Sequence, residues 1–180
     1  MTPGEPTAGH EATWPAGRPE GPVVDRERVR ALLFDGRGSV VLFRRVIADH
    51  PVYWSLPGGG IEPGETRLEA LRRELDEELR AVATRFTPLT SVVVRHEDGR
   101  LHRQHLFACL LRDMRPEERY GPEFHAGNGR HEVVHVPFTA EAIEGVDLRP
   151  AALRAWIVAS VDELRALFPA ADTAAPPTTQ

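Results

Sequence analysis

The chain has 180 residues, 27% of them charged and 41% hydrophobic, with a formal net charge of −5. The length favours one folded unit, the composition is that of a globular protein, and the acidic balance argues against a dedicated binder of nucleic-acid polymers. All 22 basic residues are arginine, which removes every mechanism built on a lysine amine, from a Walker-type phosphate loop to a Schiff base.

Residues 1–23 are rich in Pro, Gly, Ala and Thr, and 169–180 are similar. Neither segment has enough apolar surface to offset the entropy of ordering, so both are expected to be flexible tails around a folded unit at 24–168. No stretch approaches the roughly 18 apolar residues of a membrane span, and residues 1–23 lack the apolar core of a secretory signal. The one cysteine, Cys109, sits in an apolar run and reads as core. A cytoplasmic, reduced setting without a membrane partner is the expectation.

Residues 29–34 and 40–45 read as two strands joined by a turn at Asp35-Gly36-Arg37-Gly38. A short segment at 53–56 runs into the breaker Pro57-Gly58-Gly59-Gly60. From Thr66 to Arg80 the apolar period becomes helical. A second hairpin is expected at 91–97 and 100–111 around Asp98-Gly99. A polar loop follows at 112–130, then a strand at 132–138 and a closing helix at about 150–167. Strands with helices between and after them predict an α/β or α+β sheet covered by helices on its faces.

The helix carries the most information. Thr66-Arg67-Leu68-Glu69 forms a capping box. At 100° per residue, Leu68, Leu71, Leu75 and Leu79 fall within about 80° and define a buried stripe. Glu74, Glu77 and Glu78 are expected on the opposite side, within about 100° of arc. Carboxylates at i, i+3 and i+4 repel one another. A solvated acidic face is one explanation; a hard divalent cation among them is the other.

The residues before the helix favour the second. Gly59, Glu65, Arg73-Glu74-Leu75 and Glu77-Glu78 stand at the spacing of the Nudix signature, entered through Trp54-Ser55-Leu56-Pro57-Gly58-Gly59. The chain therefore resembles the Nudix hydrolases, loosely from about residue 27 to 167. The resemblance implies an α/β/α sandwich with a mixed sheet flanked by helices. It also implies hydrolysis of a nucleoside diphosphate linked to another moiety, water attacking phosphorus with the help of Mg2+ or Mn2+. Glu74, Glu77 and Glu78 are the implied metal ligands, with the carbonyl of Gly58 beside them, and Glu65 and Arg73 an implied structural ion pair. Arg44 and Arg45 are candidates to grip substrate phosphate, a solvated strand end being the alternative. Glu123 and Glu132 are both open as a further catalytic acid or base, among the late acids that include Glu117 and Glu118. The signature glycine after Leu79 is Arg80 here, which is expected to let the helix run on or close differently.

Two further groups of residues carry weaker signals. In the second hairpin, His96 and His105 are expected on one face and His102 on the other, and with His125, His131 and His135 they make no three-ligand zinc site. Tyr53, Trp54 and Phe124 are candidates to stack on a base, with packing as the alternative.

The substrate is open between nucleoside triphosphates and sugar or alcohol nucleotides. The family's downstream marks for ADP-ribose and dinucleoside polyphosphates are replaced by His96 and Asp98. A small nucleotide-like molecule is the expected partner, and a homodimer fits the family pattern. The rival readings are an inactive nucleotide-binding regulatory module, disfavoured by the three retained acids, and an isomerase of allylic diphosphates on the same fold.

Overall fold

The structure is a computed structural model, described here for residues 23–96, 99–120 and 129–169. Residues 1–22 and 170–180 of the expected tails at 1–23 and 169–180, the hairpin turn at Asp98, and Glu123, Phe124 and His125 lie outside the described residues.

The strands are β1 (Arg26–Phe34), β2 (Ser39–Val46), β3 (Tyr53–Ser55), β4 (Val82–Arg95), β5 (Leu101–Asp113), β6 (Arg130–Pro137) and β7 (Leu148–Arg149). The helices are α1 (Arg67–Leu79), α2 (Ala140–Glu144), α3 (Ala151–Ala159) and α4 (Val161–Leu167). The sheet runs β4-β5-β1-β2-β3-β7, with β6 also paired to β2. It is mixed, because β1 and β5 are parallel while β4–β5, β1–β2 and β2–β6 are antiparallel.

Alternation along the strands builds two cores. Val29, Ala31, Leu33, Val41 and Phe43 face α1, where Ala70, Leu71, Leu75 and Leu79 cover them. Leu32, Phe34, Val40 and Leu42 face the other way, against Ile143 of α2, Leu153 and Ile157 of α3 and Leu164 of α4. The expected α/β/α sandwich is the observed architecture. No helix among the described residues is long and apolar enough to cross a membrane.

Several elements differ from their sequence pattern. The closing helix is two, broken at Ser160. Strand β4 starts nine residues before the expected Ser91, at Val82, and passes through irregular pairing with β5 between Thr84 and Thr90. The short elements α2 and β7 fall where no periodicity could develop.

The second hairpin also closes in another register. A two-residue Asp98-Gly99 turn would pair His96 with Leu101. Instead Arg95 pairs with Leu101, and the His96 N–H donates to Arg100 O at 2.8 Å. One residue of slip moves a side chain to the other face. His96 therefore joins His102, their ring centroids 4.1 Å apart, and parts from His105.

The feature that places the site is a split between β1 and β2. They pair only through Leu33–Val41 and Phe34–Val40. Beyond that point β3 takes over the free edge of β2, through Phe43–Ser55 and Arg45–Tyr53. The glycine-rich segment after β3 then runs along the vacated edge of β1. The Ala31 N–H donates to Pro57 O and the Val29 N–H to Gly59 O, both at 2.9 Å.

Candidate active site

The wedge needs glycine for two different reasons. Gly58 has φ 124, and a Cβ there would overlap the Val29 carbonyl oxygen. At Gly59 the obstacle is a side chain: the Glu74 carboxylate lies where a Cβ would be. The backbone thus makes room for an acid on α1. From the other side, the Gly58 N–H donates to Glu78 Oε2 at 2.7 Å.

Helix α1 presents these acids because of how it is held. Thr66 Oγ1 accepts from the Glu69 N–H at 3.2 Å, and Glu69 Oε2 accepts from the Thr66 N–H at 2.8 Å, which closes the capping box. Glu74 and Glu78 are buried, 9% and 6% exposed, so the expectation of an acidic face opposite the leucines is corrected. Seven residues separate Leu71 from Glu78, and two helical turns bring them about 20° apart. The acids flank the apolar stripe, which carries them to the edge of the sheet.

Arg73 joins the parts. It donates to Glu65 through Nε at 2.7 Å and a terminal nitrogen at 3.0 Å, to Gly60 O at 2.9 Å and to Glu74 at 3.0 Å. Glu77 lies 3.4 Å from the same guanidinium. The Glu65 carboxyl is pulled down to about 2, chiefly by its hydrogen bond from Arg73, and Arg73 is raised in turn.

Arg80 ends α1 at Leu79 by adopting the left-handed conformation itself, φ 47 and ψ 42. The expected change in helix closure does not occur. Its guanidinium pairs with Asp76 at 2.7 Å and lies 5.3 Å over the Tyr120 ring. The Tyr120 N–H donates to Glu77 O at 2.9 Å, and the Arg115 N–H to Leu79 O at 3.0 Å.

A cleft of about 750 Å³ opens at the split, walled by Gly58, Gly59, Gly60, Glu74 and Glu78. Facing the acids are Arg28, Arg30 and Arg45. Arg30 donates to the Gly58 carbonyl and to Gln104 Oε1; burial, with Arg28 nearby, lowers its guanidinium to about 10. The Nε atoms of Arg28 and Arg45 are buried without a hydrogen-bond partner. Three guanidinium groups lining one open cleft favour an anion.

Other sequence candidates fall elsewhere. Adjacent strand residues point to opposite faces, so Arg44 and Arg45 do not form a joint grip. Arg45 lines the cleft and meets His131 Nδ1 at 2.6 Å, whereas Arg44 pairs with Glu132 at 2.8 Å and lies over Trp54. Glu132 pairs with Arg130 as well, does not line the cleft, and has its carboxyl pKa lowered, chiefly by Arg44. The Gly58 carbonyl, expected beside a metal, accepts from Arg30. Trp54 packs on the core formed with α2–α4, while Tyr53 lines the cleft under Arg149.

Arg28, Arg30 and Gln104 escaped the sequence reading. The signal for the two arginines was their spacing of two on a strand whose later half is wholly apolar. Their access to a cleft depends on the split, which no local pattern reveals.

The donor set suits a hard divalent cation, since Glu74 and Glu78 are brought by a glycine cradle to one wall and Glu77 stands one turn beyond Glu74. Among the described residues no three carboxylate, imidazole or thiol groups are already gathered as a metal site. Arg73 holds two of the carboxylates instead.

Carboxylates on a capped helix stand opposite arginines across a glycine wedge in an α/β/α sandwich. A family model for the NUDIX domain matches residues 24–179. The chain belongs to that family. Nucleoside triphosphatase NudI of Escherichia coli O1:K1 / APEC is 55% identical over 42 residues, which are 22% of this chain and 30% of that protein. The matched stretch thus spans less than a third of this curated relative. Among solved structures, a NUDIX hydrolase from Nitrosomonas europaea superposes with a TM-score of 0.59 at 15% identity, over 78% of this chain and 88% of that one. The E. coli ORF135 protein gives 0.54 at 28% identity, over 81% and 94%.

Proposed function

We propose that this chain is a divalent-metal-dependent pyrophosphohydrolase that cleaves a phosphoanhydride bond in a nucleoside triphosphate or a related nucleoside diphosphate derivative. The observation that carries the reading is the opposition, in one cleft, of buried Glu74 and Glu78 to Arg28, Arg30 and Arg45. The NudI relative is named a nucleoside triphosphatase, which favours a triphosphate substrate.

In this reading Glu74, Glu77 and Glu78 hold Mg2+ or Mn2+, which when bound supplies charge neutralisation at the phosphoryl oxygens and a water acidic enough to attack phosphorus. Arg28 and Arg45 take non-bridging phosphate oxygens through the parts of their guanidinium groups that line the cleft. Arg30, anchored on Gly58 and Gln104, keeps positive potential at the cleft floor. Glu65 and Arg73 fix the glycine wedge to α1, so that the acids keep their place relative to the arginines. Glu123 remains a proposed base. Glu132, bound to two arginines away from the cleft, is not retained in that role. Buried Cys109, its thiol raised to about 12 by desolvation, takes no part. A reducing cytoplasm suits such a chain.

The test is the full chain with Mg2+ or Mn2+ and a panel of nucleoside triphosphates and nucleoside diphosphate sugars, with released phosphate and pyrophosphate measured. Turnover of at least one substrate is expected, with Glu78→Gln slower by about 100-fold or more. Wild-type turnover in Glu78→Gln would overturn the assignment. Tight binding of a nucleotide without any hydrolysis would favour the regulatory module instead.

A further inference from the structure

One flank of the cleft is left unused by the phosphate chemistry. There the turn end of the β4–β5 hairpin contributes Val94, His96 and Gln104. Gln104 is 3% exposed and pairs with Val92 of β4 on one side and Arg28 of β1 on the other. Three strands fix its backbone.

Its carboxamide is oriented as well. Arg30 Nε lies 3.1 Å from Gln104 Oε1. A guanidinium N–H can only donate, so the oxygen faces Arg30 and the NH2 group turns away from it. No acceptor among the described residues meets that nitrogen, and it is not among the buried unsatisfied atoms, so it keeps access to the cleft. On the same sheet face, exposed His96 rests on buried His102, 4.1 Å between ring centroids and 39° between planes. An exposed ring backed by a second ring can stack on a planar ligand.

We propose that this flank is the nucleobase subsite, and that Gln104, as a donor only, selects bases that present a carbonyl oxygen. This inference rests on the pyrophosphohydrolase reading. A carboxamide reads adenine through both its oxygen and its nitrogen, one accepting and one donating. Arg30 engages the oxygen here, which leaves a donor suited to the keto groups of guanine and uracil.

The experiment measures kcat and KM of the full chain for GTP, UTP and ATP, with inorganic tripolyphosphate as a base-free competitive inhibitor. The KM for ATP is expected to exceed those for GTP and UTP by about tenfold. Gln104→Met, which also takes an acceptor from Arg30, is expected to abolish the preference, bringing the GTP and UTP values to that of ATP beyond any common change that tripolyphosphate inhibition reports. Equal KM values in the wild type overturn the proposal. So does a variant that weakens all ligands in parallel, tripolyphosphate included, and keeps the preference, since that reports only a disturbed Arg30.

If Gln104→Met does not fold, exposed His96→Ala serves in its place. It should raise the KM of every nucleotide severalfold while sparing tripolyphosphate, and no change would overturn the subsite. If the wild type hydrolyses none of the three, the hydrolase reading fails separately. Calorimetric binding of the same nucleotides then decides the subsite: tighter GTP and UTP, with the difference lost in the variant, uphold it, and equal affinities overturn it.

Discussion

Gly58 and Gly59 are neighbours with separable tasks. A methyl group at Gly58 meets backbone, the Val29 carbonyl, at φ 124. Neither obstacle can rotate away, so Gly58→Ala is expected to cost about 2–4 kcal/mol of stability, read as a lower midpoint in urea unfolding. At Gly59 the methyl meets the far end of Glu74, which can swing aside. Gly59→Ala should therefore keep most of its stability and lose turnover, because the displaced carboxylate leaves the cleft wall. The reverse pattern, a stable inactive Gly58→Ala and an unstable active Gly59→Ala, would refute the assignment of backbone fit to one and acid placement to the other. The run of three glycines was visible in the sequence. Which one faces backbone and which faces an acid was not, because that depends on partners 29 and 15 residues away.

Helix α1 was the most legible element. Its capping box is local chemistry between residues three apart, and its leucine stripe is simple periodicity. Its C-terminus shows where local reading stops. Left-handed backbone at a residue with a side chain costs about 1 kcal/mol, yet Arg80 accepts it. The Asp76 pair, half-exposed, contributes about 0.2–1 kcal/mol, and the stack on Tyr120 about 0.5–1 kcal/mol. These gains nearly offset the strain, and the second involves a residue 40 positions further on, beyond any sequence window. Arg80→Gly removes strain and contacts together, so its unfolding free energy should stay within about 0.5 kcal/mol of wild type. Arg80→Ala keeps the strain and loses the contacts, and should be less stable by about 1 kcal/mol. If glycine were the more damaging of the two, the left-handed backbone would not be the strained feature. The β4–β5 hairpin gives the opposite lesson: its existence was plain from Asp98-Gly99, but a one-residue shift in closure moved His96 to the other face and, with it, into the cleft.

Across the molecule, the layered sandwich followed from alternating strands and two apolar helical patterns. The cleft did not, because it exists only where β1 parts from β2 and a loop fills the gap. The same sheet holds a second polar group on the α1 face that local patterns do not announce: His105, 1% exposed, with Nε2 3.5 Å from Glu27, which also faces Arg103 at 3.4 Å and Arg67 at 3.9 Å. Desolvation first, and the charge of Arg67 next, lower the His105 pKa from 6.5 to about 4 despite Glu27. Above pH 6.5 the ring is neutral in folded and unfolded chains alike. As pH falls below 6.5 the unfolded chain takes up a proton that the folded protein refuses, so the unfolded state binds more protons and stability declines. The decline from this group ends near pH 4, where the folded ring protonates too. Glu65 acts in a lower window: with its folded pKa near 2, its contribution is present above its unfolded pKa of 4.5 and is lost as pH falls from there toward 2. Thermal melts taken every half unit from pH 7.5 to 4.5 should show Tm falling below 6.5 in the wild type, with a shallower slope in His105→Gln, which cannot take up a proton. Parallel slopes in the two proteins would place the acid sensitivity of the upper window outside this buried ring.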